Sequence, residues 1–430
     1  MRCFARLFVR IVSLALLIAL VLSLSSCELI KSLKKQTTIY IATDIHLFSN
    51  NLIGEDNEIY HKDRFVSDGR IQEYDYELFG ALIDEVNKEK PEFLVLTGDL
   101  TFNGEEDSHL EVARLLGDVG EDTKVLVIPG NHDVCSVDAV TVEKDVIEPI
   151  WGIDADRFRE IYSDFGYSGA YSYDKSSLSY IYELDDNTWA LMLDTNLSEF
   201  NEEQGYNIVS GFVDDETMLW LEENLAIAKE KGISVVSFTH HNLLVHNELF
   251  KTSYTVGNYE ALLEIYAEYG VKLNFSGHLH IQSIESAEIG GTEIYDVSSG
   301  SLLDYGNRYG VLDIYGGRYS YESRLLDLSG YEEDIRAHSF EVFCKKYYNK
   351  TLWMYQGNLG KERGEEAMEL LSQINSYYFD GSYEEINRLR ENNPKLIEDI
   401  IGSTASYDTS YVKSIIEVED RDQHKLVIKR

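Results

Sequence analysis

Phe93-Leu94-Val95-Leu96-Thr97-Gly98-Asp99 decides the fold, because it is a short apolar strand that runs straight into a glycine and a carboxylate. Four other segments repeat the pattern. Ile39 to Thr43 runs into Asp44-Ile45-His46, and Val125 to Pro129 into Gly130-Asn131-His132-Asp133. Val235 to Thr239 runs into His240, and Leu273 to Ser276 into Gly277-His278-Leu279-His280. In an α/β sheet, ligands gather beyond the carboxyl ends of the strands. Five strands ending in Asp, Asn or His therefore predict one shared site. Asp99 is its expected centre, since a carboxylate has two oxygens and can join two cations.

The side chains at these ends are Asp44, His46, Asp99, Asn131, His240, His278 and His280. They provide two carboxylates, an amide oxygen and four imidazoles. A mixed N/O set suits Mn, Fe or Zn, whereas an all-oxygen set would point to Mg or Ca. Seven donors exceed one tetrahedral ion and suit two ions about 3.5–4 Å apart, as in two-metal hydrolases. Taken singly each residue has an ordinary reading. Asp99 after Gly98 caps a turn, Asn131 after Gly130 is a turn residue, and a lone histidine is more often core or surface than ligand. The conjunction decides: of eleven histidines, His46, His132, His240, His278 and His280 all fall at these strand ends.

The chain has 430 residues, enough for a large α/β domain and a smaller one. With 44% hydrophobic and 12% aromatic residues it can bury a substantial core, which excludes a mainly disordered chain. The net charge of −38 disfavours a nucleic-acid polymer as partner, since that binding is driven by phosphate neutralisation.

The first 27 residues follow a separate logic. Arg2, Arg6 and Arg10 precede the apolar run Ile11–Leu24, and Leu24-Ser25-Ser26-Cys27 closes it. The run is shorter than the roughly 20 apolar residues of a spanning helix, so it reads as a secretory signal. It resembles a bacterial lipoprotein signal with its lipobox, which implies that Cys27 carries the lipid and that the protein is extracytoplasmic and membrane-anchored. Residues 28–38 form the tether. Only Cys135 and Cys344 remain, too few for a disulfide framework. Cys135 is expected to pack beside the site.

In chain order, Phe48 to Tyr74 is a polar excursion long for a strand-to-helix connection, hence a candidate substrate wall. Helices are expected near 75–88, within 100–120, and at 214–231 and 259–269, with a glycine C-cap at Gly232. A second excursion covers 134–169. Strands near 180–184 and 189–194 pair, and 281–328 alternates in β-like runs. Residues 39–329 form the main domain and 330–430 a small helical one, with a capping box at Ser382-Tyr383-Glu384-Glu385 and a strand at 425–429 returning to the sheet.

The blocks Asp44-Ile45-His46, Gly98-Asp99, Gly130-Asn131-His132-Asp133, His240 and Gly277-His278-Leu279-His280 resemble those of the calcineurin-like metallophosphoesterases. The resemblance spans about Thr37 to Leu328. It implies a four-layer αββα sandwich, with Asp44, His46 and His280 on one ion, Asn131, His240 and His278 on the other, and Asp99 bridging. It implies that a hydroxide bridging the ions attacks phosphorus while His132 acts beside the scissile phosphate. Asp133 is expected to orient the loop or a ring N–H, and His241 to touch phosphate. One departure stands out: where the protein-phosphatase branch has an acid paired to the catalytic histidine, this chain has Phe102, which places it nearer the phosphodiesterase-like branch. The expected activity is hydrolysis of cyclic nucleotides or other small diesters. A monoesterase or nucleotidase, and a non-catalytic surface-binding lipoprotein, are the alternatives.

Overall fold

The computed structural model describes residues 36–54, 69–143, 146–331, 334–403 and 406–430. The signal, Cys27, most of the tether and residues 55–68 of the first excursion lie outside them. Among the described residues, no helix is long and apolar enough to cross a membrane.

The strands in chain order are β1 Thr37–Ala42, β2 Phe93–Thr97, β3 Lys124–Ile128, β4 Val140–Glu143, β5 Val146–Pro149, β6 Ser172–Tyr173, β7 Tyr180–Asp185, β8 Thr188–Leu193 and β9 Ser234–Thr239. They continue as β10 Leu273–Ser276, β11 Ser283–Ile289, β12 Thr292–Ser298, β13 Arg308–Tyr315, β14 Arg318–Leu325 and β15 Lys425–Lys429. Two large sheets form, in the orders β15-β14-β13-β1-β2-β3 and β11-β12-β10-β9-β8-β7-β6, and β4 pairs with β5 as a separate two-stranded sheet. The strands β1, β2 and β3 run parallel. So do β8, β9, β10 and β12 in the other sheet.

Alternation along each strand makes the layers. Ile39, Ile41, Val95, Leu126, Phe238 and Phe275 point between the sheets into one core. Tyr40, Ala42, Leu94, Leu96 and Val127 point the other way, onto the helices Asp75–Glu89 and Glu106–Leu116. Trp189, Leu191 and Val235 pack outward against helices Asp215–Lys231 and Tyr259–Tyr269. The result is the expected four-layer αββα sandwich. Gly232 caps its helix at φ 70°, as the sequence predicts.

Five helices, Ile335–Leu359, Lys361–Asp380, Tyr383–Asn392, Pro394–Gly402 and Ser406–Ile416, follow the last hairpin. They share a core that includes Leu279 and Ile281, the residues either side of His280. The expected capping box does not form. The Ser382 hydroxyl is spent on Asp380 instead, and Asp380 also takes Arg308 at 2.5 Å. The last strand, β15, pairs with β14, as expected.

Phe238 and Phe275, stacked side by side on β9 and β10 with centroids 5.5 Å apart, fill the core between the sheets behind the site, where Phe275 meets Tyr321 of β14 at 5.4 Å. Phe238→Ala is expected to lower the unfolding free energy by about 3–5 kcal/mol. Urea denaturation checks this, and a loss below 1 kcal/mol would show that the inter-sheet core is not close-packed there.

Candidate metal centre

All seven expected donors converge at the carboxyl ends of strands from both sheets. The Nε2 of His280 lies 3.1 Å from Asp44 Oδ1. The Nε2 of His46 lies 3.8 Å from Asp44 and 3.7 Å from Asp99 Oδ2. The Nε2 of His240 lies 3.4 Å from the same Asp99 oxygen and 3.1 Å from Asn131 Oδ1. Two clusters result, Asp44, His46 and His280, and Asp99, His240 and His278, each with a possible ligand atom per residue within 4.8 Å of the others; a third grouping, His46, Asp99 and His132, meets the same limit and overlaps both. The other Asp99 oxygen, Oδ1, accepts the His132 backbone N–H at 2.9 Å. A single oxygen, Oδ2, therefore faces imidazoles of both clusters.

The backbone here is unusual in a way that sequence cannot display. Asp44, His46, Asp99, His278 and His280 all adopt φ between 46° and 64°, the left-handed region that side chains rarely occupy. Strain of this kind persists where the surrounding structure holds it in place, and it clusters at functional sites. Gly130 makes the close approach possible: a Cβ there would stand 2.2 Å from Asp99 Oδ1.

The hydrogen bonds test whether cations fit. The Nδ1–H of His240 donates to the Thr97 carbonyl at 2.9 Å. That leaves its Nε2 lone pair against the acceptors Asn131 and Asp99. The Nδ1–H of His280 donates to Asp304 at 2.7 Å, which leaves Nε2 against Asp44. The Nε2–H of His278 donates to the Ser253 carbonyl at 3.2 Å, which frees Nδ1. Both ring nitrogens of His46 are buried without a partner. Acceptors facing acceptors in a dry site need a proton or a cation between them. Burial disfavours a charge on His240 and His280, yet the Asp99 and Asp44 carboxylates outweigh it and raise them to about 9 and about 10. The residues fit divalent ions.

One expectation, for His241, is corrected, and the one for Asp133 is met in its loop-orienting form. His241 is fully buried; its Nδ1 meets the Thr195 hydroxyl at 2.8 Å and its Nε2–H donates to the Val209 carbonyl at 2.9 Å. With both nitrogens engaged inside the protein, it is not available to phosphate. Its neighbour His240, one step along the strand end, takes the site-facing position. The carboxylate of Asp133 is buried too and accepts Gly130, Leu100 and Thr101 N–H at 2.8, 3.1 and 2.9 Å. It clasps the two ligand loops together, and no ring nitrogen is among the carboxylate's partners in the described residues; the His109 ring meets the Asp133 backbone carbonyl instead, at 2.8 Å. Burial first, and then the charge of Asp99, push it up to about 7.

His132 is 30% exposed and its Nε2 lies 4.0 Å from Asp99. Its Nδ1–H donates to the Phe102 carbonyl at 3.0 Å and to the Asn103 side-chain oxygen at 2.7 Å. A neutral amide and a backbone carbonyl thus take the place of the missing acid, a role the sequence reading missed. Asp304 was missed as well. Its signal was available: β12 runs parallel to β10, so the polar run after Ser298 emerges at the same edge. Cys135 is partly buried against the same core as Val134 and Ile153, near the loop that carries His132.

A cavity of about 280 Å³ opens over the site, lined by His46, Asp99, Asn131, His132, His278 and His280 together with Arg70, Val209, Phe250, Tyr254, Asp304, Phe343, Lys346 and Phe379. The last helices therefore supply part of its wall. Larger cavities lie elsewhere, but they hold none of the clustered donors.

The profile of the calcineurin-like phosphoesterase family matches residues 37–282, more than half of the chain. The chain belongs to that family, and is a metal-dependent phosphoester hydrolase. No curated protein matches it. Among solved structures it is similar to a dimetal phosphatase from Danio rerio, at 14% identity over 67% of this chain and 96% of that one, with a TM-score of 0.46. A putative 5'-nucleotidase from Staphylococcus aureus, in complex with alpha-ketoglutarate, is similar at 13% identity over 71% and 58%, with a TM-score of 0.40. The sulfate thiohydrolase SoxB of Thermus thermophilus, in complex with glycerol, matches at 14% identity over 75% and 61%, with a TM-score of 0.37. The chain spans about three fifths of the length of the last two.

Asp304 fixes the tautomer of His280, and losing such a partner typically weakens a metal site 10–100-fold. Asp304→Ala is expected to weaken binding of one Mn²⁺ per chain by about that factor while leaving the other intact. Calorimetric titration reads this, and unchanged binding of both ions would remove His280 from the ligand set.

Proposed function

We propose that this protein is a lipid-anchored, extracytoplasmic dimetal phosphodiesterase acting on small diesters such as cyclic nucleotides. The observation that carries the hydrolytic reading is the single Asp99 oxygen placed between two donor clusters under the exposed edge of His132. Two divalent ions, when bound, supply Lewis acidity toward the phosphoryl oxygens and lower the pKa of water. Asp44, His46 and His280 would hold one, Asn131, His240 and His278 the other, with Asp99 shared.

The chain's own groups do the rest. Asn103 and the Phe102 carbonyl lock the His132 ring, so Nε2 faces the cavity, where it can pass a proton to the leaving oxygen. After burial, the nearby charge of Arg70 is the strongest influence lowering His46, and it lowers His132 too. The same cation is placed to attract an anionic ester and to stabilise charge developing on its oxygens. A cavity of about 280 Å³ is at the small end of ligand pockets. It suits a small ester and not a polymer. The neutral partner of His132 favours the diester reading, because a diester carries one fewer charge than a dianionic monoester and asks less of an acid partner.

With Mn²⁺ present, bis-p-nitrophenyl phosphate is expected to turn over faster than p-nitrophenyl phosphate. The opposite order would establish the monoesterase reading, and silence on both would sink a general esterase. His132→Gln is expected to reduce kcat by about 10²–10⁴-fold with Mn²⁺ binding retained; equal loss of metal would make it a ligand. Cys27→Ser is expected to move the protein from the membrane fraction to the soluble one, and retention on membranes would discard the lipid anchor.

A further inference from the structure

The helix-facing side of the second sheet changes character toward its carboxyl edge. Nearer the strand starts, Trp189, Val235 and Ile294 are apolar and pack against helices. At the edge stand Thr239 of β9, Asn274 and Ser276 of β10 and Asp296 of β12, polar and fully buried. Asp296 is the hub of this group. Its Oδ2 accepts the backbone N–H of Leu243 at 2.6 Å and of Leu244 at 2.9 Å, and the His246 Nε2–H at 3.2 Å. Its Oδ1 accepts the Asn274 amide at 2.9 Å and the Ser276 hydroxyl at 3.0 Å. Burial raises the pKa of Asp296, but the His246 ring and the Asn274 amide outweigh it and hold the carboxyl below its ordinary value.

The donors come from the two chain segments that carry His240 and His278. Leu243, Leu244 and His246 follow His240 in the loop after β9, while Asn274 and Ser276 precede His278 on β10. The segments are also tied to each other: the Gly277 N–H donates to the His240 carbonyl at 2.9 Å, and the Asn242 amide to the Ser276 hydroxyl at 2.7 Å. Both histidines belong to the Asp99 cluster. The Asp44 cluster is held by different groups, Ser301 on the Asp44 carbonyl and Asp304 on the His280 ring. An ionised carboxylate out of water is costly, and apolar residues fill such a space at less cost where only packing is needed. What the carboxylate adds is a common acceptor that fixes two backbone segments against each other.

We propose that Asp296 is a positioning residue for one of the two ions, the one assigned to the Asp99, His240 and His278 cluster. By accepting from both segments it sets the spacing of the His240 and His278 rings, whose centroids lie 4.9 Å apart. This rests on the two-ion reading of the site. Asp304 and Asp296 then serve one ion each, from outside the donor set.

Asp296→Asn tests this, because the amide keeps the shape but has a single acceptor oxygen and sets its NH₂ against other donors. In calorimetric titration of the full chain with Mn²⁺, the variant is expected to bind one ion about 10–100-fold more weakly, the usual effect of losing a group that orients ligands, and the other as the native chain does. In electron paramagnetic resonance, two equivalents of Mn²⁺ should give a spin-coupled pair in the native chain and uncoupled Mn²⁺ in the variant. Excess Mn²⁺ should restore the coupled signal, which a collapsed site would not allow. The double variant with Asp304→Ala should hold neither ion at native affinity. Unchanged binding of both ions, equal weakening of both, a coupled signal that excess metal does not restore, or a double variant that keeps one ion at native affinity each overturns the assignment. Where Asp296→Asn lacks the native melting transition, Ser276→Ala decides. It removes one donor and should weaken the same ion about threefold, whereas unchanged binding overturns the proposal. A native chain that takes up fewer than two Mn²⁺ defeats the two-ion reading instead.

Discussion

The buried carboxylate of Asp99 governs this structure. One of its oxygens is tied to the His132 backbone N–H, and the other faces the Nε2 atoms of His240, His46 and His132 at 3.4, 3.7 and 4.0 Å. An ionised carboxylate out of water is unfavourable unless it is paired. Burial raises its pKa, but His240 and His132 together overturn that and hold it well below the usual range. Strands from two different sheets must meet to provide those partners. The sandwich is therefore arranged so that β2 and β9, from opposite sheets, end on the same oxygen.

Around that oxygen the protein accepts strain. Five donor residues adopt left-handed backbone, and at Gly98, Gly130 and Gly277 a Cβ would collide with His240, Asp99 and Asp44 atoms respectively. Such a cluster is unstable alone, so it is braced from outside. Asp133 ties the loops after β2 and β3, Ser301 donates to the Asp44 carbonyl at 2.8 Å, and Asp304 and Ser253 fix two rings. The C-terminal helices complete the support by burying Leu279, the residue between His278 and His280. A segment without a single donor thus helps to shape the donor loop and closes the cavity over it.

The convergence of the seven candidate donors was legible because strand ends are a local pattern, and the layer order was legible through the family resemblance. Apolar runs such as Phe93–Thr97 are buried on both faces, which is how a parallel strand between helices and a second sheet must read. Readings that depended on where a side chain points failed. His241 sits next to a ligand in the chain, yet adjacent side chains at a strand end face opposite ways, and its ring is sealed against Thr195 and Val209. The Ser382 box has the right spacing, but Asp380, held by Arg308, competes for the hydroxyl. The two errors differ in cause: partners remote in sequence took the His241 ring, whereas a carboxylate two residues back took the Ser382 hydroxyl.

By itself the sequence pointed to one shared site of seven candidate donors, because five strand ends carrying Asp, Asn or His recur, and to the family through the same blocks; the two-sheet architecture followed from that resemblance. Only the tertiary structure decided that Asn103 replaces an acid beside His132, that Asp304 orients His280, and that Lys346 and Phe379 line the cavity. Those contacts join residues 24 to more than 200 positions apart, or depend on a ring rotation that no pattern encodes. Hydrophobic periodicity specifies layers, whereas the identity of the partner across a cavity is set by the packing of elements that never meet in the chain.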